Sequence, residues 1–153
     1  MGKLVLHFRD KVSSTIGLEG CVFTNGCFDI LHRGHIDVLA KTADLGDKLI
    51  IGLNSDSSIR KLKEENRPIV DEKSRALLLA AFSFVDAIVL FSEQTPINLI
   101  TDIRPDILAK GGDYKIEEIV GYEVVQQNGG EVITIPLTEG FSSTNIIDKI
   151  QNG

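Results

Sequence analysis

The sequence predicts one α/β domain, a five-stranded parallel sheet with helices on both faces. Three observations carry this. Five short apolar runs punctuate the chain, each too short to be a helix and mostly rich in β-branched residues. Amphipathic segments of helical spacing separate them. The length, 153 residues, suits one domain, and no repeat, linker or low-complexity tract divides it. Strands alternating with helices close into a parallel sheet whose faces are both covered.

The elements follow in order. Cys21-Val22-Phe23-Thr24 reads as the first buried strand. Ile36, Leu39, Ala40 and Ala43 recur at helical spacing, with Gly46 as the stop. Leu49 to Leu53 is the second strand, and Ser57 to Lys63 a short helix. Asp71 caps a helix running through Arg75, Leu78, Leu79 and Phe82. Ala87 to Phe91 is the third strand. Thr95-Pro96 opens a helix that closes before Pro105. Asp106 to Ala109 is the fourth strand, and Ile116 to Gln127 reads as one helix stopped by Asn128-Gly129-Gly130. Glu131 to Ile135 is the fifth strand. Ser142 or Ser143 caps a last helix with an apolar stripe at Ile146, Ile147 and Ile150. Residues 1–19 form an N-terminal extension and 20–153 the domain.

Composition narrows the function. The net charge of −6 argues against a non-specific nucleic-acid binder, although a small cationic pocket can sit in an acidic surface. No apolar run approaches a membrane span. Met1 to Asp10 mixes Lys3, His7, Arg9 and Asp10 with apolar residues and lacks the core of a secretory signal. Two cysteines are few for a secreted scaffold, so a reduced, cytoplasmic setting is expected. Cys21, Cys27, His32 and His35 do not have zinc-finger spacing. In an extended segment Cys21 and Cys27 stand ~20 Å apart.

Parallel sheets bind ligands beyond the carboxyl ends of their strands, where the strand order switches. The candidate segments are therefore residues 24–35, 54–63, 110–114 and 138–145. The first carries Asn25-Gly26-Cys27-Phe28-Asp29-Ile30-Leu31-His32-Arg33-Gly34-His35. It is neither a dinucleotide fingerprint nor a P-loop. Two histidines flank a glycine where a helix begins. A helix start offers free N–H groups and the positive end of its dipole to phosphate. His32 and His35, three residues apart, project to one side, and Gly34 removes a side chain from the approach. Asp29 can orient a histidine or meet a metal ion. Ser142-Ser143-Thr144 offers a second helix start for phosphate.

Gly26-Cys27-Phe28-Asp29 followed by His32-Arg33-Gly34-His35 resembles the signature of the cytidylyltransferase-like nucleotidyltransferases. Within that superfamily the chain is similar to the bacterial D-glycero-β-D-manno-heptose 1-phosphate adenylyltransferases. The likeness runs from about Gly20 through Asn54-Ser55-Asp56, Arg67-Pro68, Arg104-Pro105-Asp106, Lys110-Gly111-Gly112-Asp113-Tyr114, Asn128 to Val132 and Ser142 to Ile147. The Lys110–Tyr114 and Ser142–Ile147 segments carry most of its specificity.

The resemblance implies a Rossmann-like domain that transfers AMP from ATP to a sugar 1-phosphate, giving ADP-heptose and pyrophosphate. It implies His32 and His35 as catalytic. Thr24, Asn25, Gly26, Cys27, Phe28, Lys63, Arg75, Gly112, Ser142, Ser143 and Thr144 would bind the nucleotide. Asn54, Asp56, Lys61, Lys110 and Asp113 would meet the acceptor. Mg²⁺ is expected with ATP, with Asp29 as its candidate ligand. A homodimer, and a sugar kinase on a separate chain, are further expectations; no nucleic acid or membrane partner is. Glycerol-3-phosphate cytidylyltransferases carry an Arg where Leu137 stands and a Lys early in the segment at Thr95-Pro96, and both are missing here. The alternatives are a cytidylyltransferase for glycerol 3-phosphate or another phosphorylated acceptor, and a nucleotide-binding module without turnover.

Overall fold

The structure, a computed structural model, describes residues 18–63 and 66–153. The proposed N-terminal extension lies outside the described residues except for Leu18 and Glu19. Each apolar run becomes a strand: β1 (Cys21–Gly26), β2 (Lys48–Asn54), β3 (Ala87–Phe91), β4 (Ile107–Gly111) and β5 (Glu131–Ile135). Three of them outrun their apolar segments at the carboxyl end. Asn25 stays paired with Gly52 and Lys110 with Thr134, because a ladder needs backbone groups and not apolar side chains. Those polar strand ends reach the site.

The helices are α1 (Arg33–Ala43), α2 (Asp56–Leu62), α3 (Glu72–Ala80), α4 (Ile97–Ile103), α5 (Tyr122–Gln127) and α6 (Ser143–Asn152). Side chains of Ser55, Asp71 and Ser142 cap α2, α3 and α6. Three expectations need correction. The 116–127 segment is not one helix: a 3₁₀ turn at Ile116–Glu118 is separated from α5 by Gly121 at φ 96°. A Cβ at Gly121 would stand 2.7 Å from Ile100 Cδ1, so the break is a close approach of two elements. Helix α1 ends before Gly46, with Asp44 as its C-cap. Gly46 is needed because a Cβ there would meet the Gly20 carbonyl at 2.6 Å. Pro96 occupies the cap position of α4 itself, with no side-chain cap bond.

The strands lie in the order β3-β2-β1-β4-β5, all parallel. The chain moves outward from β1 to β3 and then returns on the other side of β1. The switch in order therefore falls between β1 and β4, where a crevice must open at their carboxyl ends. Alternate strand residues serve opposite faces. Phe23 and Ile50 pack with Leu99, Ile100 and Ile103 of α4 and Val125 of α5. Leu49, Ile51 and Leu53 pack with Leu39 of α1 and Ala76 and Leu79 of α3. Helices thus cover both faces, as the alternation of segments predicts. No helix among the described residues is long and apolar enough to cross a membrane.

Candidate active site

β1 ends at Gly26 and α1 begins at Arg33. The link between them is conformationally costly. Phe28 and Ile30 both sit in the left-handed region, at φ 49° and 57°, where a side chain costs roughly 1 kcal/mol or more. Bonds from three distant segments hold it. Arg75 Nη1 donates to the Cys27 carbonyl at 2.6 Å. Ser143 Oγ donates to the Asp29 carbonyl at 2.6 Å. The Asp29 carboxylate, itself buried, accepts from Arg67 Nε at 2.7 Å and from the Ile69 and Val70 N–H groups at 2.9 Å. Burial pushes its pKa up, but the two backbone bonds and Arg67 outweigh that and hold the carboxyl below its usual range.

The loop delivers the two histidines to the start of α1. His32 is the N-cap, and its Nδ1 accepts from the Gly34 N–H at 3.1 Å. His35 Nδ1 accepts in return from the His32 N–H at 3.4 Å. This is a capping box built from imidazoles instead of hydroxyl and carboxylate. The rings stack with centroids 3.9 Å apart. With both Nδ1 atoms used as acceptors, the neutral rings must carry hydrogen on Nε2. Burial, then the nearby His32 and Lys63, push His35 down to about 4. Burial lowers His32 as well. At neutral pH the pair is therefore uncharged and offers two N–H donors.

These donors face a cleft of about 330 Å³ at the switch between β1 and β4. The cleft brings together Thr24, Asn25, Gly26, Cys27, Phe28, His32, His35, Lys63, Lys110, Ser142, Ser143 and Thr144. Four segments distant in sequence thus meet where the sheet topology requires. Gly26 is open because a side chain there would touch the Phe28 ring at 3.1 Å. Burial lowers the Lys110 pKa, and its Nζ lies 5.8 Å from the centre of the Tyr114 ring.

Other expected site residues stand elsewhere. Arg75 does not line the cleft: it is fully buried, donating to the Val70, Cys27 and Asn54 carbonyls and to Asp56 Oδ1. Asp56 is thereby committed to Arg75, and Asn54 Nδ2 to Ser58. Lys61 is exposed on α2 and does not line the cleft. Gly112 and Asp113 line a separate hollow with Thr134 and Pro136. Asp29 does not fit the role of metal ligand, since both its oxygens are occupied by the bonds above. No cluster of three His, Cys, Asp or Glu side chains placed for a metal occurs among the described residues.

Sequence reasoning missed Arg67 as a site residue. It lines the cleft; Arg67-Pro68 carries part of the resemblance, but the partner that fixes its direction lies 38 positions away. Phe141 and Thr138 fall in the candidate segment 138–145 and line the cleft, though neither was singled out there. Phe141 carries the Arg33 guanidinium 5.5 Å from its ring centre, and Thr138 bonds Asp37. Both contacts join α1 to the β5–α6 link.

Comparison with known proteins agrees with this geometry. The model of the family described as cytidylyltransferase-like matches residues 23–149. Bifunctional protein HldE of Rhodopseudomonas palustris (strain BisA53) is 54% identical over 131 residues, 86% of this chain and 27% of that protein. Its namesake in Syntrophotalea carbinolica is 55% identical over 129 residues, 84% of this chain and 26% of that protein. The chain thus spans about a quarter of the length of these curated relatives. The crystal structure of the lipopolysaccharide core biosynthesis protein from Thermoplasma volcanium superposes with TM-score 0.63 at 32% identity, covering 77% of this chain and 95% of that one. Pantothenate synthetase from Thermus thermophilus, at 17% identity and TM-score 0.64 over 94% of this chain and 66% of its own, shares the fold. The matched segment contains most of β1, the histidine pair and the second helix start that build the cleft, and the chain belongs to the cytidylyltransferase-like family of nucleotidyltransferases.

Proposed function

We propose that this chain transfers AMP from ATP to a sugar 1-phosphate, D-glycero-β-D-manno-heptose 1-phosphate, releasing ADP-heptose and pyrophosphate. One observation carries the chemistry: a stacked, uncharged histidine pair presents two Nε2 donors in a cleft of about 330 Å³, beside a helix start at Ser142–Thr144. The acceptor rests on the segments that resemble heptose 1-phosphate adenylyltransferases, on relatives above 50% identity called HldE, and on a structural neighbour named for lipopolysaccharide core biosynthesis.

The acceptor phosphate is already ionised and is its own nucleophile, so no covalent enzyme intermediate is needed. Its oxygen attacks the α-phosphorus in line while the bond to the bridging oxygen breaks. Charge grows on the α-phosphate oxygens, where His32 and His35 donate. Preorganised donors of this kind act most strongly as charge develops. Lys63 and Lys110 supply positive charge, and the N–H groups and hydroxyls of Ser142, Ser143 and Thr144 bind phosphate oxygens. Magnesium would arrive on the phosphates of ATP, whose charge it screens. Asp29 is unsuited to hold it.

The test is pyrophosphate release from ATP or CTP with a panel of acceptors. Turnover with ATP and heptose 1-phosphate, well above CTP with glycerol 3-phosphate, is expected. Preference for CTP and glycerol 3-phosphate would replace the assignment, and nucleotide binding without release from any acceptor would leave a binding module.

A further inference from the structure

We infer that Asp29 and Arg67 form a positioning pair that directs one guanidinium edge onto the leaving pyrophosphate. The inference rests on the nucleotidyl-transfer reading but not on the identity of the acceptor.

Three observations support it. First, the two residues are built as a unit. Asp29 is almost wholly buried and takes Arg67 by Nε alone, at 2.7 Å. A guanidinium held through Nε is fixed in direction while its terminal nitrogens stay available. Among the described residues neither Nη atom has a hydrogen-bond partner. The Arg67 side chain is nonetheless only 13% exposed and lines two adjoining hollows, so these solvent-accessible donors are available to a ligand there.

Second, the recess that Arg67 lines adjoins the side of the histidine cleft where α6 begins. Arg67, Lys63 and Thr144 line both the histidine cleft and an adjoining hollow of about 450 Å³ bounded by Ile147, Asp148 and Gln151. Lys110, within β4, lines the histidine cleft but not this hollow. An in-line displacement at the α-phosphorus needs its nucleophile and leaving group on opposite sides of that atom. Lys63, Arg67 and the start of α6 stand together on one side, and this is where the departing electron pair and its charge must go. The hollow gives pyrophosphate a route out. The Asp148 carboxylate that borders it opposes a tightly held anion and so favours release.

Third, Asp29 ties this side to the histidines. Its carboxylate grips the 67–70 segment, its carbonyl accepts from Ser143 at the first turn of α6, and His32 follows three residues later. The leaving-group contacts and the α-phosphate contacts are thus set from one residue. That explains why a carboxylate in the signature loop turns away from the ligand.

The experiment is isothermal titration of inorganic pyrophosphate and of AMP into wild type, Arg67→Ala and Asp29→Asn, with thermal melts of each. Losing a charge-assisted bond lowers affinity roughly ten- to a hundredfold. Arg67→Ala should lose that factor for pyrophosphate while AMP affinity changes less than about threefold. Asp29→Asn should show the same selectivity more weakly, with kcat falling more than KM for ATP rises. Arg67→Lys should recover part of the loss. Wild-type pyrophosphate affinity in a folded Arg67→Ala protein overturns the inference and leaves the proposed function standing. Equal loss of AMP and pyrophosphate overturns it too, as a general disruption of the cleft. Wild type that binds neither ligand overturns both readings.

Discussion

The imidazole capping box makes a prediction readable atom by atom. Both Nδ1 atoms accept backbone N–H groups, so His32 and His35 should be Nε2–H tautomers, and His35 should titrate near 4 instead of 6.5. The sign follows from linkage. A base whose pKa is lower in the fold binds protons more readily when unfolded, so acid favours unfolding. The contribution of His35 is complete above about pH 6.5 and is lost as pH falls toward 4. A shift of that size corresponds to roughly 3 kcal/mol at 1.36 kcal/mol per unit. His35 keeps contact with solvent, which screens part of this, leaving about 1–2 kcal/mol. Long-range ¹H–¹⁵N spectra resolve tautomer and pKa directly, and the chain has only three histidines to assign. Urea unfolding at pH 7.5 and 4.5, for wild type and His35→Gln, reads the stability. A His35 that titrates near 6.5, carries hydrogen on Nδ1, or leaves the pH dependence unchanged when replaced would refute the reasoning.

Other expectations follow from the same geometry. His35→Ala removes a transition-state donor worth ~3–4 kcal/mol and should lower turnover at least about a hundredfold. Its fold should survive, since a lost cap costs only about 1 kcal/mol; single-turnover rates and a melt test both. Gly34→Ala should help the helix by up to about 1 kcal/mol. Its Cβ, however, would press on His32 Cε1 and Nδ1 at 3.0 Å and on Phe141 at 3.1 Å. The expected result is a protein that melts no lower and turns over at least about tenfold more slowly. Arg75→Met should cost about 3–5 kcal/mol, because it leaves Asp56 and three carbonyls without a buried partner. Denaturant unfolding measures this, and a loss below about 1 kcal/mol would show that these bonds are replaceable.

The parts of this molecule legible in sequence are those set by local period or local chemistry. β3 and β5 could be bounded to the residue because apolar, β-branched runs end there in charged residues and turns. Helix starts at Asp71 and at Ser142 or Ser143 were readable because a cap bonds three residues ahead, and the structure chooses Ser142. The alternation of elements implied a parallel sheet and so pointed to the segments after its strands, while the strand order that puts the switch between β1 and β4 was visible only in the structure. What stayed hidden depends on partners far apart in the chain. Arg75 has the composition of a surface contact and the surroundings of a core residue. Nothing within a helical turn of it announces the Cys27 and Asn54 carbonyls that it satisfies. Asp29 misled for the same reason: its neighbours in sequence are a histidine motif, while its neighbours in space are Arg67, Ile69 and Val70.

These hidden contacts concern one problem, the conformation of residues 27–31. Left-handed backbone at Phe28 and Ile30 is unfavourable for L-residues, and Ile30 is β-branched, where the penalty is greatest. Glycine at either position would relieve the strain locally. The chain instead keeps bulky residues there and constrains them from outside, through Arg75, the Asp29 carboxylate and Ser143. The consequence is coupling. Each constraint comes from a segment outside the loop, so the position of the histidines depends on the 67–70 segment and the start of α6. A glycine at position 30 would loosen this dependence, and by the same argument it would cost catalytic rate more than stability. The position of the two Nε2 donors is therefore a property of the assembled domain, although the motif that supplies them is eleven consecutive residues long.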